Sequence, residues 1–198
     1  TDAVLGPDVA KANTTLDAAG YKRVEGNPVR MKGDKPLAVA VSFANTPELT
    51  LAATELKRQW EALGVSVNLL SMSADELQTN ALRNRNFDVL LAGELYGAFP
   101  DPYPYWHSSQ ATYPGLNVTG FANRAADEAM STIRTSPDET KRKEAYVALS
   151  KLLTDSHVAA FLYQPSYVYV ITSDLKGVDI SHLNLPADRF ANIITWYK

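Results

Sequence analysis

Glu94, Tyr96, Phe99, Asp101, Tyr103, Tyr105 and Trp106 fall in one short stretch, GELYGAFPDPYPYWH (Gly93–His107). Pro100, Pro102 and Pro104 mark it as a segment that cannot be a helix. Tyrosine and tryptophan rings combine flat apolar area with one hydrogen-bonding group. Carboxylates add acceptors and negative charge. Two readings follow. The rings line a place where a molecule fits, or the stretch is a packed surface loop, with Asp101 and Pro102 shaping its turn and Trp106 filling a core. Glu94 and Asp101 also invite comparison with the carboxylate pair of a glycoside hydrolase, but nothing in the sequence fixes their separation.

Other chemistries find less support. With no cysteine in 198 residues, disulfides and thiolate metal sites are excluded. His107, His157 and His182 are too far apart for a local metal motif. No nucleophile-elbow, phosphate-loop or dinucleotide fingerprint occurs, so no catalytic residue, cofactor or metal is expected. The net charge of −3, with both signs interspersed, gives no basic patch and counts against nucleic acid or an anionic membrane. No apolar run reaches the roughly 18 residues that span a bilayer. Hydrophobic residues at 45% and charged residues at 21% fit a folded globular chain, so one domain or one large lobe is expected. A first residue of Thr1 is what a mature or excised piece would show.

The elements that must hold the loop can be read from period and punctuation. A first helix has Pro7 in its opening turn, Gly20 at its end, and Val9, Ala12, Leu16 and Ala19 on one face. Gly26–Pro36 reads as a polar turn region. Leu37–Phe43 is a strand. A strong helix follows, with Thr46 as cap, Pro47 at its first position, Gly64 as stop and a stripe of Leu49, Ala53, Leu56, Trp60 and Leu63. Val65–Ser71 is the next strand. Ser73 and Glu76 form a capping box for a helix to about Arg83, and Phe87–Leu95 is a third strand. Strand–helix–strand–helix–strand with short connections predicts a parallel sheet. Ligands of open α/β sheets bind beyond the carboxyl ends of the strands, where the ring-rich stretch begins. Downstream, Asn123 caps a helix to about Arg134, with Asp127 and Glu128 suited to its first turns. A long helix follows, with Ser136 and Glu139 as capping box and Pro137 at its first position. HVAAFLYQPSYVYVITS reads as two strands broken at Gln164–Pro165, and the tail is irregular until a short terminal strand.

Five phrases in this order resemble the family 5 extracellular solute-binding proteins of ABC importers, the dipeptide-, oligopeptide- and nickel-binding type. They are AKANTTLDAAGYKR, ATELKRQWEALGVSVNLLSMSADEL, NFDVLLAGEL with FPDPYPYW, NVTGFANRAADEAMSTIR, and DETKRKEAYVALSKLLTDSHVAAFLYQPSYVYVI. Members are considerably longer and close two lobes on their ligand. The resemblance therefore implies an α/β chain whose mixed, mostly parallel sheet is flanked by helices. It would be one lobe of a periplasmic-binding-protein type II fold. Residues 1–198 would form a single domain III-like lobe, with roughly 181–198 returning toward the missing first lobe.

The implied function is the solute-binding component of an ABC import system for peptides or a similar polar solute. Its partners would be that solute, the missing first lobe and a membrane permease. The protein would act as a monomer outside the cytoplasm, in the periplasm or on the outer face of the membrane with any lipid anchor outside these residues. The alternative is a solute-binding-like lipoprotein that no longer transports and serves envelope assembly. The resemblance points to Glu94, Tyr96, Phe99, Asp101, Tyr103 and Trp106 as ligand-binding candidates and argues against an enzyme. In peptide-binding members an aspartate just before the Asp-Pro loop pairs with the ligand's free amino terminus; here Gly97, Ala98 and Phe99 stand in its place. That departure counts against a free-amine peptide held there, and leaves open a blocked peptide, a sugar, another polar molecule or no ligand at all.

Overall fold

The structure, a computed structural model, describes residues 8–97, 99–166, 168–181, 183 and 185–198. The chain forms two compact units, one through Gly93 and one from Glu94.

The first unit opens with α1 (Val9–Ala18), capped by the Asp8 side chain on the Lys11 N–H; the expected helix-starting Pro7 lies outside the described residues. The polar stretch read as a turn region is instead a three-stranded antiparallel meander: β1 (Lys22–Val24), β2 (Asn27–Lys32) and β3 (Lys35–Pro36). Its turn residues are real, but they sit in two tight hairpins, and the strands between them are too polar to show an apolar alternation. Arg30 of β2 is 2% exposed and ties three segments together. Its guanidinium donates to Asp17 Oδ1 at 2.7 Å, to the Tyr21 carbonyl at 2.8 Å, to Asn13 Oδ1 at 2.5 Å and to the Leu63 carbonyl at 2.8 Å.

Next come β4 (Ala38–Ala44), α2 (Pro47–Ala62), β5 (Ser66–Met72) and β6 (Val89–Leu91). β4 is central and pairs in parallel with both neighbours, Val41 lying opposite Leu69 on one side and Val89 on the other. The parallel sheet is as expected, although β6 is shorter than the Phe87–Leu95 run. Thr46 caps α2 and Pro47 opens it, as the sequence indicates. Val41, Phe43, Ala53, Val67 and Leu91 are the buried core, with Leu49, Leu56 and Trp60 packed against it. After β5, the Ser73–Glu76 capping box forms as expected and starts α3 (Ala74–Glu76), which continues as a π-helical turn over Leu77–Leu82.

The second unit is helical. Contrary to the reading that the ring-rich stretch cannot be a helix, it forms a single turn, α4 (Tyr103–Trp106), because Pro104 falls in the first turn, where its missing N–H costs nothing; α5 (Arg124–Thr135) and α6 (Glu139–Ser156) follow. Asn123 caps α5 on the Ala126 N–H as expected. α6 departs from expectation at its start: Asp138, not Ser136, is the cap, and Pro137 lies before it, because the Asp138 carboxylate accepts from both Thr140 and Lys141 N–H. Ala126, Met130 and Ile133 of α5 face Ala145, Leu149 and Leu153 of α6 at three- and four-residue steps. Trp106 and Phe121 complete this core.

The two strands expected in His157–Ser173 do not form among the described residues. Among the described residues the unit has no sheet, so their backbone groups have no ladder to join. Val158 and Ala159 pack against the helical core, whereas Val170 is 85% exposed, and Phe161, Leu162, Tyr163 and Val168 are exposed too. The terminal strand is reduced to one bridge, Lys176 with Tyr197.

Candidate functional site

The ring-rich stretch opens the second unit, three residues after β6 ends. Tyr105 fixes its first part. Its hydroxyl donates to the Leu95 carbonyl at 2.9 Å and accepts from the Leu95 N–H at 3.2 Å. Tyr96 meets the Tyr105 ring edge-on, with centroids 5.4 Å apart. The Tyr96 hydroxyl donates to Glu94 Oε2 at 2.6 Å, and the Trp106 indole N–H reaches the same oxygen at 3.4 Å. Partial burial raises the Tyr96 pKa above the usual phenol range, and the hydrogen bond and charge of Glu94 push it further the same way. Tyr96 is thus a neutral donor at physiological pH, and one Glu94 oxygen accepts from both it and Trp106.

A second group anchors the rest of the loop to α5 and α6. Asp101 Oδ1 accepts from the Tyr103 N–H at 3.1 Å, and its Oδ2 pairs with Arg134 Nε at 3.3 Å. The Arg134 guanidinium lies 4.3 Å from the centroid of the Tyr103 ring, whose other stacking partner is His107 at 4.0 Å. The Tyr146 hydroxyl donates to the Pro100 carbonyl at 2.5 Å. Asp127 accepts from the Ser108 N–H at 2.9 Å and hydroxyl at 2.6 Å, so it holds the loop as well as suiting the first turn of α5.

The predicted residues thus divide. Glu94, Tyr96 and Trp106 come together. Asp101 and Tyr103 belong to the Arg134 group. Phe99 is 52% exposed and Trp106 only 4%. His107 is packed on Tyr103, His157 closes α6 in a left-handed conformation, and His182 lies outside the described residues. No cluster of metal-ligating side chains occurs among the described residues.

Sequence reading missed three contributors. Phe161 meets Trp106 edge-on at 5.9 Å, from the stretch taken for a strand. Arg134, named in the sequence only as the end of a helix, pairs with Asp101 and lies on Tyr103. Asn117, fully buried, donates to the Phe121 carbonyl at 2.8 Å and the His107 carbonyl at 3.1 Å, pinning the end of the loop. Its place in the NVTGF phrase was the available signal. In the first unit, an apolar groove of about 510 Å³ runs beside α1 between Leu16, Val39, Trp60 and Val65; none of the predicted site residues lines it.

Comparison with known proteins agrees with this architecture. Residues 1–115 match the model of the family described as bacterial extracellular solute-binding proteins, family 5 Middle. The periplasmic murein peptide-binding protein MppA of Escherichia coli is 27% identical over 174 residues, 87% of this chain and 30% of that protein. The nickel-binding periplasmic protein of the same organism is 25% identical over 167 residues, 81% of this chain and again 30% of the relative. The chain therefore spans about a third of the length of these relatives. The oligopeptide-binding protein AppA of Bacillus subtilis, solved in complex with a nonapeptide, superposes with a TM-score of 0.74 at 22% identity. The match covers all of this chain and 39% of AppA, and it speaks to fold alone. The unliganded open form of MppA gives 0.70 at 26% identity, covering 96% of this chain and 34% of MppA. The family match spans more than half of the chain, and the chain belongs to the family 5 bacterial extracellular solute-binding proteins.

Proposed function

We propose that this chain supplies one wall of the solute cleft in the binding component of an ABC import system, and that the solute is a peptide or a similar polar molecule. The observation that carries the reading is the loop after the parallel sheet. It presents Glu94, half-buried Tyr96 and exposed Phe99 on a frame held by Tyr105, Arg134 and Tyr146. Rigid aromatic rings with a few fixed polar groups suit a site that must accept variable solutes. Family membership and a relative named for peptide binding support the choice of solute.

The mechanism is capture without bond-making. A second half, outside these residues, closes over the loop, and closure is favoured only to the extent that the closed form holds the solute better than the open form does. The exposed apolar side chains Phe161, Leu162, Val168, Val170 and Ile171 support such a half, because burying them would gain about 25 cal/mol per Å². The loaded protein then presents its solute to a membrane permease. The relatives are named as periplasmic, which supports an extracytoplasmic site of action. Among the described residues no helix is long and apolar enough to cross a membrane.

The test is mass spectrometry of small molecules released on denaturing the natively purified product of the complete reading frame. A defined solute, reduced in a Tyr96→Ala/Phe99→Ala variant, is expected. Release of nothing, or of the same amount from the variant, would count against the proposal.

A further inference from the structure

We infer that His107 is a proton-operated latch at the end of the ring-rich loop: neutral, it caps the turn that closes the loop, and protonated, it releases that turn. The latch concerns the loop's own shape and holds whatever the solute.

The hydrogen bonds fix which ring nitrogen does the capping. His107 precedes a 3₁₀ turn, Ser108–Gln110, and its Nδ1 accepts from the Ser109 N–H at 3.1 Å. A ring nitrogen accepts only when it carries no proton, so in the neutral ring the proton sits on Nε2. Nε2 faces Asp127 Oδ1 of α5 at 3.8 Å, too far for a hydrogen bond. The ring is 16% exposed, so protons from solvent reach it. The backbone of His107 is held separately, by the Asn117 amide on its carbonyl at 3.1 Å.

Protonation changes both sides of the ring. Nδ1 becomes a donor and loses the Ser109 N–H. It then donates to the Ser109 hydroxyl, 2.9 Å away, which also contacts the Tyr103 hydroxyl at 3.2 Å and accepts from the Gln110 amide at 3.2 Å. On the other side the imidazolium is drawn toward Asp127. That carboxylate is already anchored, accepting from the Ser108 N–H at 2.9 Å and hydroxyl at 2.6 Å, so the ring moves and the carboxylate stays. The other charged neighbour acts in the same sense. Arg134 of α5 lies on the Tyr103 ring, on which His107 also stacks, and a second cation beside that ring is repelled by the first. Histidine is the side chain whose charge changes between pH 5 and 8. The end of the loop is therefore capped at the upper end of that range and released at the lower end.

The test follows the Ser109 amide ¹H–¹⁵N resonance and the His107 ring protons of the protein from pH 8 to pH 5. The Ser109 resonance is expected to move in step with the His107 ring. Its protection against hydrogen exchange, corrected for the intrinsic rate at each pH, should fall about fivefold, the worth of one cap. His107→Asn keeps a side-chain acceptor at the cap position and carries no charge, so its Ser109 resonance should stay still over the same range. A wild-type Ser109 resonance that ignores the His107 titration would overturn the latch, and that result needs no variant. An equal Ser109 shift in His107→Asn would overturn it too, by showing that another group drives the change.

Discussion

The Tyr96 hydroxyl and the Glu94 carboxylate, two residues apart in the chain, are joined by a 2.6 Å hydrogen bond on the partly exposed side of a ring cluster. The bond turns a flexible acidic side chain into an oriented one. It also explains why burial and negative charge act together to hold the Tyr96 proton in place.

Titration should therefore reveal Tyr96 as a late-ionising tyrosine. Its folded pKa is raised above the unfolded value of about 10. The unfolded chain releases its proton first, so this contribution to stability is complete below pH about 10 and declines as pH rises beyond it. Ultraviolet titration near 295 nm should lose one high-pH transition in Tyr96→Phe. An unchanged titration curve would contradict the assignment.

The acid side depends on another pair. The Arg30 guanidinium beside Asp17 lowers the Asp17 pKa, chiefly through their hydrogen bond. The unfolded carboxyl takes up its proton first as pH falls, so the stabilisation is present above the unfolded value of about 3.9 and is lost below it. Urea unfolding should show a steeper fall in stability between pH 5 and about pH 3 for the wild type than for Asp17→Asn. Identical pH dependence would remove the pair from the account.

Gly64 follows α2 at φ +90, and a Cβ built there would lie 2.8 Å from Arg30 Cγ and 3.4 Å from the Arg30 backbone nitrogen. Gly64→Ala must strain the backbone and displace the buried arginine together. A loss of about 1–3 kcal/mol in urea unfolding is expected. Wild-type stability would show that Arg30 is loosely held.

Asn117 is the corresponding pin of the second unit. Replacing it with Ala leaves the Phe121 and His107 carbonyls without its N–H donors, and the cost is about 2–4 kcal/mol. Because the same amide lies 3.4 Å from the Trp106 carbonyl, the near-ultraviolet circular dichroism of the tryptophans should weaken as well. Loss of stability with an unaltered aromatic signal would separate the pin from the site.

Much of the first unit was legible because its signals are local. Thr46, Pro47 and Gly64 punctuate α2, and the apolar runs of β4 and β5 lie directly opposite each other in the sheet. The loop was legible as a cluster of rings, and the Glu94–Tyr96 contact lies within two residues. What was not legible depends on distant partners. Arg30 carries no local signal, since its burial depends on Asp17, Asn13 and two carbonyls that surround it. The β-branched and aromatic run after α6 reads as strands because those residues fit a pleated surface. Sequence alone does not say whether a neighbouring strand is within reach. Phe161 joined the site for the same reason, through a contact with Trp106 that no spacing announces.

The central claim is that the loop grips its solute only when a second half closes over it. The direct measurement is calorimetric affinity for one solute, compared between these 198 residues and the product of the complete reading frame. The account predicts binding at least about a hundredfold weaker for the shorter chain, since half of the contacts are missing. Equal, tight binding by the shorter chain would contradict it.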